Sequence, residues 1–144
     1  MAAYWDTSVL AKIYVDEPGS DLVRKLLGGE RPVTSAICPV EMESMLRRSH
    51  AEGRLTEEEQ RGARAMFALD LDYWSLMDVD AAVLQQARLV AADFPIRALD
   101  AVHVASALRL RERFPDTAFL TADVRQGAVA AALGFRVSRL LPQA

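Results

Sequence analysis

The stretch Tyr4-Trp5-Asp6-Thr7-Ser8 decides how the rest of the chain is read. Ala3 to Trp5 has the pattern of a short buried strand that stops at an acid. Beyond it Val9, Leu10, Ile13 and Tyr14 recur at helical spacing, so a helix takes over with Thr7 or Ser8 as its cap. Asp6 is then expected at the carboxyl end of a strand, the edge of an open α/β sheet where ligands bind. A carboxylate buried there is costly unless it is paired or meets a metal. The plainer alternative is that Asp6 is only a helix cap.

Working outward, the same strand-then-helix alternation recurs. A turn at Asp16-Glu17-Pro18-Gly19-Ser20 leads to a short helix carrying Leu22, Val23, Leu26 and Leu27, capped by Ser20 or Asp21 and ended by Gly28-Gly29. Pro32 to Ser35 reads as a strand. A helix follows to about Glu52, with Glu41, Met45 and Arg48 sharing one face. Thr56 to Glu59 is a capping box, whose Glu57, Glu58 and Glu59 are simplest as first-turn acids. Trp74 to Met77 is a strand candidate. Asp80 caps a helix with Val83, Leu84, Ala87, Val90 and Ala91 inward, ended by Phe94-Pro95. Leu99 to Leu110 is the most apolar helix, broken mainly by Asp100, His103 and Ser106. Thr117 to Leu120 is a buried strand that stops at Thr121-Ala122-Asp123, a second strand-then-acid junction. A helix over 123–133 and a last strand at Phe135 to Val137 complete the pattern. Such alternation predicts an α/β fold, a central mostly parallel sheet flanked by helices. The helical hairpin around residues 38–72 is the main departure from it. With no repeat or linker, residues 1–144 are expected to form a single domain.

Composition narrows the function classes. The chain has 144 residues, a net charge of −3 and an apolar content of 51%, which suits a soluble domain with one substantial core. No apolar run approaches the roughly 18 residues that would span a bilayer, and no leader pattern is present, so a cytoplasmic location away from membranes is expected. The single cysteine, Cys38, excludes an internal disulfide, suits a reducing compartment and is simplest as a small buried hydrophobe. The acidic balance argues against a broad non-specific nucleic-acid coat. Lys12 and Lys25 are the only lysines among 17 basic residues. That arginine bias fits phosphate recognition, and fits a GC-rich coding sequence equally well.

Four acids begin elements: Asp6 and Asp123 after strands, and Glu41 and Asp100 in first turns. If they converge in one cleft they repel one another and raise their own pKa values. A divalent cation removes that conflict. An all-oxygen ligand set selects Mg²⁺ or Mn²⁺, water is the available nucleophile, and a phosphodiester is the natural substrate.

These residues resemble the PIN-domain family, and most closely its VapC-type toxins. Trp5-Asp6-Thr7-Ser8-Val9-Leu10-Ala11-Lys12 is similar to the family's first acidic motif. Ser35 through Glu41 to Leu46-Arg47-Arg48 is similar to the second, a register that selects Glu41 over Glu43. Leu99-Asp100-Ala101-Val102-His103-Val104-Ala105-Ser106-Ala107-Leu108 resembles the third, and Leu120-Thr121-Ala122-Asp123 with the Ala-Leu-Gly-Phe at 132–135 resembles the fourth. Trp5 stands where a smaller aliphatic residue is usual. The resemblance implies a PIN-like three-layer fold and a metal-dependent endoribonuclease. Asp6, Glu41, Asp100 and Asp123 would be its catalytic, metal-holding acids, with Asp123 acting directly or through a water. Ser8 and Thr121 would support them. It also implies a homodimer and a small VapB-like antitoxin that blocks the site. Arg47, Arg48, Arg97 and His103 are candidate RNA contacts, although His103 also reads as a buried histidine satisfying a nearby hydrogen bond. Arg109, Arg111 and Arg113 read as a solvated helix face.

Two other readings compete. A haloacid-dehalogenase-like phosphohydrolase would need a second acid where Ser8 stands. A non-catalytic PIN-like module binding RNA or protein would be favoured by eroded acids, and all four are present. A structure-specific DNA nuclease shares the chemistry but would need insertions that this chain lacks.

Overall fold

The computed structural model describes residues 2–139. Five short strands, β1 (Ala3–Trp5), β2 (Val33–Ser35), β3 (Ser75–Met77), β4 (Ala118–Thr121) and β5 (Arg136–Arg139), form one sheet in the order β3-β2-β1-β4-β5. The expected sheet was mostly parallel, and every pairing in the structure is parallel. Parallel neighbours need long crossovers. Here they are α1 (Thr7–Leu10), α2 (Ser20–Leu27), α3 (Cys38–Ala51), α4 (Glu57–Leu71), α5 (Ala81–Asp93), α6 (Ala98–Arg113) and α7 (Val124–Ala132). A 3-10 turn over Ala11–Ile13 prolongs α1.

β1 lies in the middle of the sheet, and its alternation divides the core. Tyr4 stacks on Phe119 of β4 (centroids 5.6 Å apart) in the layer closed by Val83, Val104 and Val129 of α5, α6 and α7. Trp5 and Leu120, paired in register, belong to the opposite layer with Val9, Val23, Met42 and Phe67 of α1, α2, α3 and α4. A sheet covered on both faces requires such two-sided burial. Trp5, the unusual residue of the first motif, is fully accommodated in that layer. In the same layer Phe67 meets Tyr14 and Trp74 edge-on, and Tyr14 and Trp74 are tilted to one another.

Several local expectations change. Asp6 itself caps α1, its carboxylate accepting the Ser8 N–H, so neither Thr7 nor Ser8 is the cap. α2 is entered through Gly19 at φ 94°, while the Ser20 hydroxyl accepts the Glu17 N–H and donates to the Val15 carbonyl. The capping box at Thr56 and Glu59 forms as read. Leu84 and Ala91, expected inward, are exposed, because α5 buries only the narrow stripe Val83, Ala87 and Val90. The arginines of α6 are not a plain solvated face. Arg109 pairs with Asp80 at 2.9 Å, and Arg111 lies 4.2 Å over the Phe135 ring and donates to the Leu133 carbonyl. Among the described residues no helix is long and apolar enough to cross a membrane.

Candidate active site

Strand order reverses about β1, and a cleft of about 220 Å³ opens at the carboxyl ends of the central strands. Asp6, Glu41, Asp100 and Asp123 all line it, with Thr7, Ser8, Met45, Arg48 and Arg97. Four acids from four separate elements therefore meet, because each stands at the start of a helix whose N-terminus faces this edge. The shared face of Glu41, Met45 and Arg48 on α3 is the face that walls the cleft.

Asp6 is the most enclosed of the four, at 3% exposure. Its Oδ2 accepts the Ser8 hydroxyl at 2.5 Å and lies 3.3 Å from the Thr121 hydroxyl, and its Oδ1 accepts the Gln126 side-chain amide at 3.3 Å. Ser8 Oγ in turn accepts the Ala122 N–H, and Thr121 Oγ1 accepts the Asp123 N–H. Ser8 and Thr121 thus tie the ends of β1 and β4 together around Asp6. Gln126 is the residue the sequence reading missed. It is fully buried in α7, and its side-chain oxygen also meets Thr121 at 2.9 Å. The available signal was a glutamine in an alanine-rich helix whose other polar residue is Arg125.

Asp123 caps α7 through the Gln126 N–H (2.9 Å). Asp100 is half-buried in the first turn of α6. Burial first, and the neighbouring Asp6 next, push its carboxyl above the usual range, with Arg97 partly opposing them. Arg97 reaches both acids, Nε 3.4 Å from Asp100 Oδ2 and a terminal nitrogen 3.5 Å from Asp123 Oδ2. Glu41 Oε1 accepts the Thr7 hydroxyl at 2.8 Å and meets His103 Nε2 at 2.5 Å.

One candidate RNA contact is corrected. His103 has 0% exposure and both ring nitrogens are engaged, Nδ1 with the Tyr4 hydroxyl at 2.7 Å. It lies beneath the cleft and out of RNA's reach. Burial opposes a charge on this ring, but Asp6, then Glu41 and Asp100, outweigh it and raise its pKa above the ordinary value. Arg47 is exposed on the neighbouring face of α3 and does not line the cleft, since one position along a helix turns the side chain by about 100°. Arg48 and Arg97 do line it. They also flank an adjoining groove of about 520 Å³ bordered by Val40 and Leu99.

Among the described residues no three acidic, histidine or cysteine side chains are already gathered as a closed metal-binding group. The chemistry of the donor set still fits a hard divalent ion. The cleft offers four carboxylates and two hydroxyls, and no thiolate or free imidazole competes. Burial first, and then repulsion by Asp6, raise the Asp100 carboxyl, and a bound cation relieves the repulsive part.

The PIN domain family model matches residues 3–132. Ribonuclease VapC46 of Mycobacterium tuberculosis is 36% identical over 110 residues, covering 76% of each chain. Ribonuclease VapC45 of the same species is 30% identical over 139 residues, 94% of this chain and 93% of its own. A solved chain from a toxin–antitoxin complex of Klebsiella pneumoniae superposes with a TM-score of 0.69 at 12% identity, covering 99% of this chain and all of that one. That last likeness is one of fold. With the four acids in one cleft and the family model spanning nearly the whole chain, this protein belongs to the PIN-domain family, among the relatives named VapC ribonucleases.

Proposed function

We propose that this chain is an endoribonuclease, the toxin half of a toxin–antitoxin pair, that cleaves RNA phosphodiesters with Mg²⁺ or Mn²⁺ held by Asp6, Glu41, Asp100 and Asp123. The single observation that carries the reading is the meeting of those four carboxylates in one cleft. An ion bound there would supply charge neutralisation for the phosphodiester and lower the cost of deprotonating water.

The chain's own residues divide the remaining work. Ser8, Thr121 and Gln126 hold the Asp6 carboxylate in one orientation. Thr7 does the same for Glu41. Arg48 and Arg97 at the rim offer guanidinium forks to phosphate oxygens. Met45 contributes an apolar wall that limits bulk water.

The test is cleavage of a labelled RNA oligonucleotide by purified protein with Mg²⁺ or Mn²⁺, then with chelator. Cleavage that requires the ion and disappears in folded Asp6→Asn and Asp100→Asn supports the reading. Cleavage that survives either substitution overturns it. The VapC names of the relatives and the toxin–antitoxin source of the structural neighbour support a small antitoxin as partner. A homodimer is part of the same proposal, and sedimentation of the purified chain tests it.

A further inference from the structure

The layer behind the cleft is largely apolar, and within it two rings carry polar atoms beside the buried hydroxyls of Thr34 and Ser106. On α6, His103 stands among Val102, Val104, Ala105 and Ala107, all buried; on β1, Tyr4 stacks on Phe119. Leucine and phenylalanine would fill these places without a polar atom to satisfy, and buried polar groups are kept in such a layer only where they are partnered. The two rings partner one another and then a third residue. The Tyr4 hydroxyl lies 2.7 Å from His103 Nδ1, and His103 Nε2 lies 2.5 Å from Glu41 Oε1.

We propose that Tyr4 and His103 are a positioning pair for Glu41. They hold Oε1 from beneath, with Thr7, so that Oε2 is the oxygen presented to the cleft. The inference rests on the reading of Glu41 as a cleft acid.

The geometry assigns each member a part. An ionised carboxylate only accepts, so Nε2 carries the hydrogen that it donates to Glu41. In the neutral ring Nδ1 is then the acceptor and the Tyr4 O–H supplies its hydrogen, and in the charged ring Nδ1–H donates to the Tyr4 oxygen, so Nε2 faces Glu41 as a donor in both states. Tyr4 sits on the central strand with its ring pinned by Phe119, which makes its hydroxyl a fixed point. The pair therefore passes the rigidity of β1 through α6 to a long side chain of α3, whose backbone alone cannot set three side-chain torsions. Among the described residues Oε2 takes no hydrogen bond, whereas Oε1 takes two. Partners of this kind typically change metal affinity by ~10–100-fold when removed.

Two readouts test the pair. The first is Mn²⁺ affinity by titration calorimetry; the second is the His103 Nε2–H proton of metal-free protein in NMR spectra. Tyr4→Phe keeps the stacked ring and removes only the hydroxyl. It should weaken Mn²⁺ binding roughly tenfold and broaden or abolish the downfield, slowly exchanging Nε2–H signal. His103→Leu should weaken binding further, and His103→Gln, which retains an N–H donor toward Glu41, should recover part of the loss. Should His103→Leu fail to fold, Tyr4→Phe decides alone. Unchanged Mn²⁺ affinity in Tyr4→Phe, or no recovery in His103→Gln over a folded His103→Leu, overturns the pair. If the wild-type chain binds no Mn²⁺, the reading of the cleft fails separately. The Nε2–H signal then decides: its loss in Tyr4→Phe supports the pair and its persistence overturns it.

Discussion

Gln126 donates its side-chain amide to the Asp6 carboxylate across 120 positions of sequence, at 3.3 Å, with both groups almost fully buried. This bond joins the last strand-to-helix junction of the site to the first. Gln126→Leu keeps similar bulk but leaves a buried carboxylate short of a donor, which costs ~1–3 kcal/mol. Urea denaturation should show a loss of that size, and RNA cleavage should fall with it because Asp6 loses its fixed orientation. A variant as stable and active as the wild type would show the amide to be idle.

Arg97 spans Asp100 and Asp123 from a side chain that is 76% exposed. Exposed pairs of this kind contribute little to stability, so Arg97→Gln should leave the denaturation midpoint within about 0.5 kcal/mol of the wild type. RNA binding should change instead. In an Asp6→Asn background, which binds without cutting, the salt dependence of affinity should lose ~0.7 in log–log slope for each phosphate contact removed. An unaltered slope would place RNA elsewhere.

Asp100 carries its charge at a disadvantage, since burial and Asp6 both favour its neutral form. Asp100→Asn removes that charge without changing shape. In metal-free protein the variant should melt at the same temperature as the wild type or higher, while cleavage is abolished, a trade of stability for function. Saturating Mn²⁺ reverses the order: an ion at a hundred times its Kd stabilises the wild type by ~2.7 kcal/mol, and chelator returns it. Thermal melts of the two proteins with and without Mn²⁺ make the comparison.

Cys38 lies buried at the start of α3, and burial pushes its thiol up to about 12. The thiolate is the reactive species, so native protein at pH 8 should label with iodoacetamide far more slowly than denatured protein. The sign for stability follows from the raised value. Folding favours the protonated thiol, so this group's contribution is complete below its ordinary value of ~8.5 and declines as pH rises towards 12. Fast native labelling at pH 8 would contradict the burial.

The strand-then-acid junctions made most of this site legible. Asp6 and Asp123 end apolar runs, and Glu41 and Asp100 open helices, so their places depend on local signals that the packed chain kept. Arg47 and His103 were harder, because exposure is decided by which helix face meets the sheet and not by residue type. His103 allowed two readings in sequence, an RNA contact or a buried histidine with a satisfied hydrogen bond, and the second holds because Tyr4 and Glu41 close on its two nitrogens. Gln126 could not be placed in advance, since its partner is at the other end of the chain. Leu84 and Ala91 were misread for a related reason: α5 rests chiefly on α6, and one neighbour buries a narrower stripe than two.

β1 is synthesised early, yet its Asp6 is held by Thr121 and Gln126, which follow 115 and 120 positions later. Asp6 therefore cannot be held in place until the residues of β4 and α7 have also been made. The cleft comes into being only when β4 docks beside β1, so its chemistry is a property of the closed sheet and of no shorter piece of it.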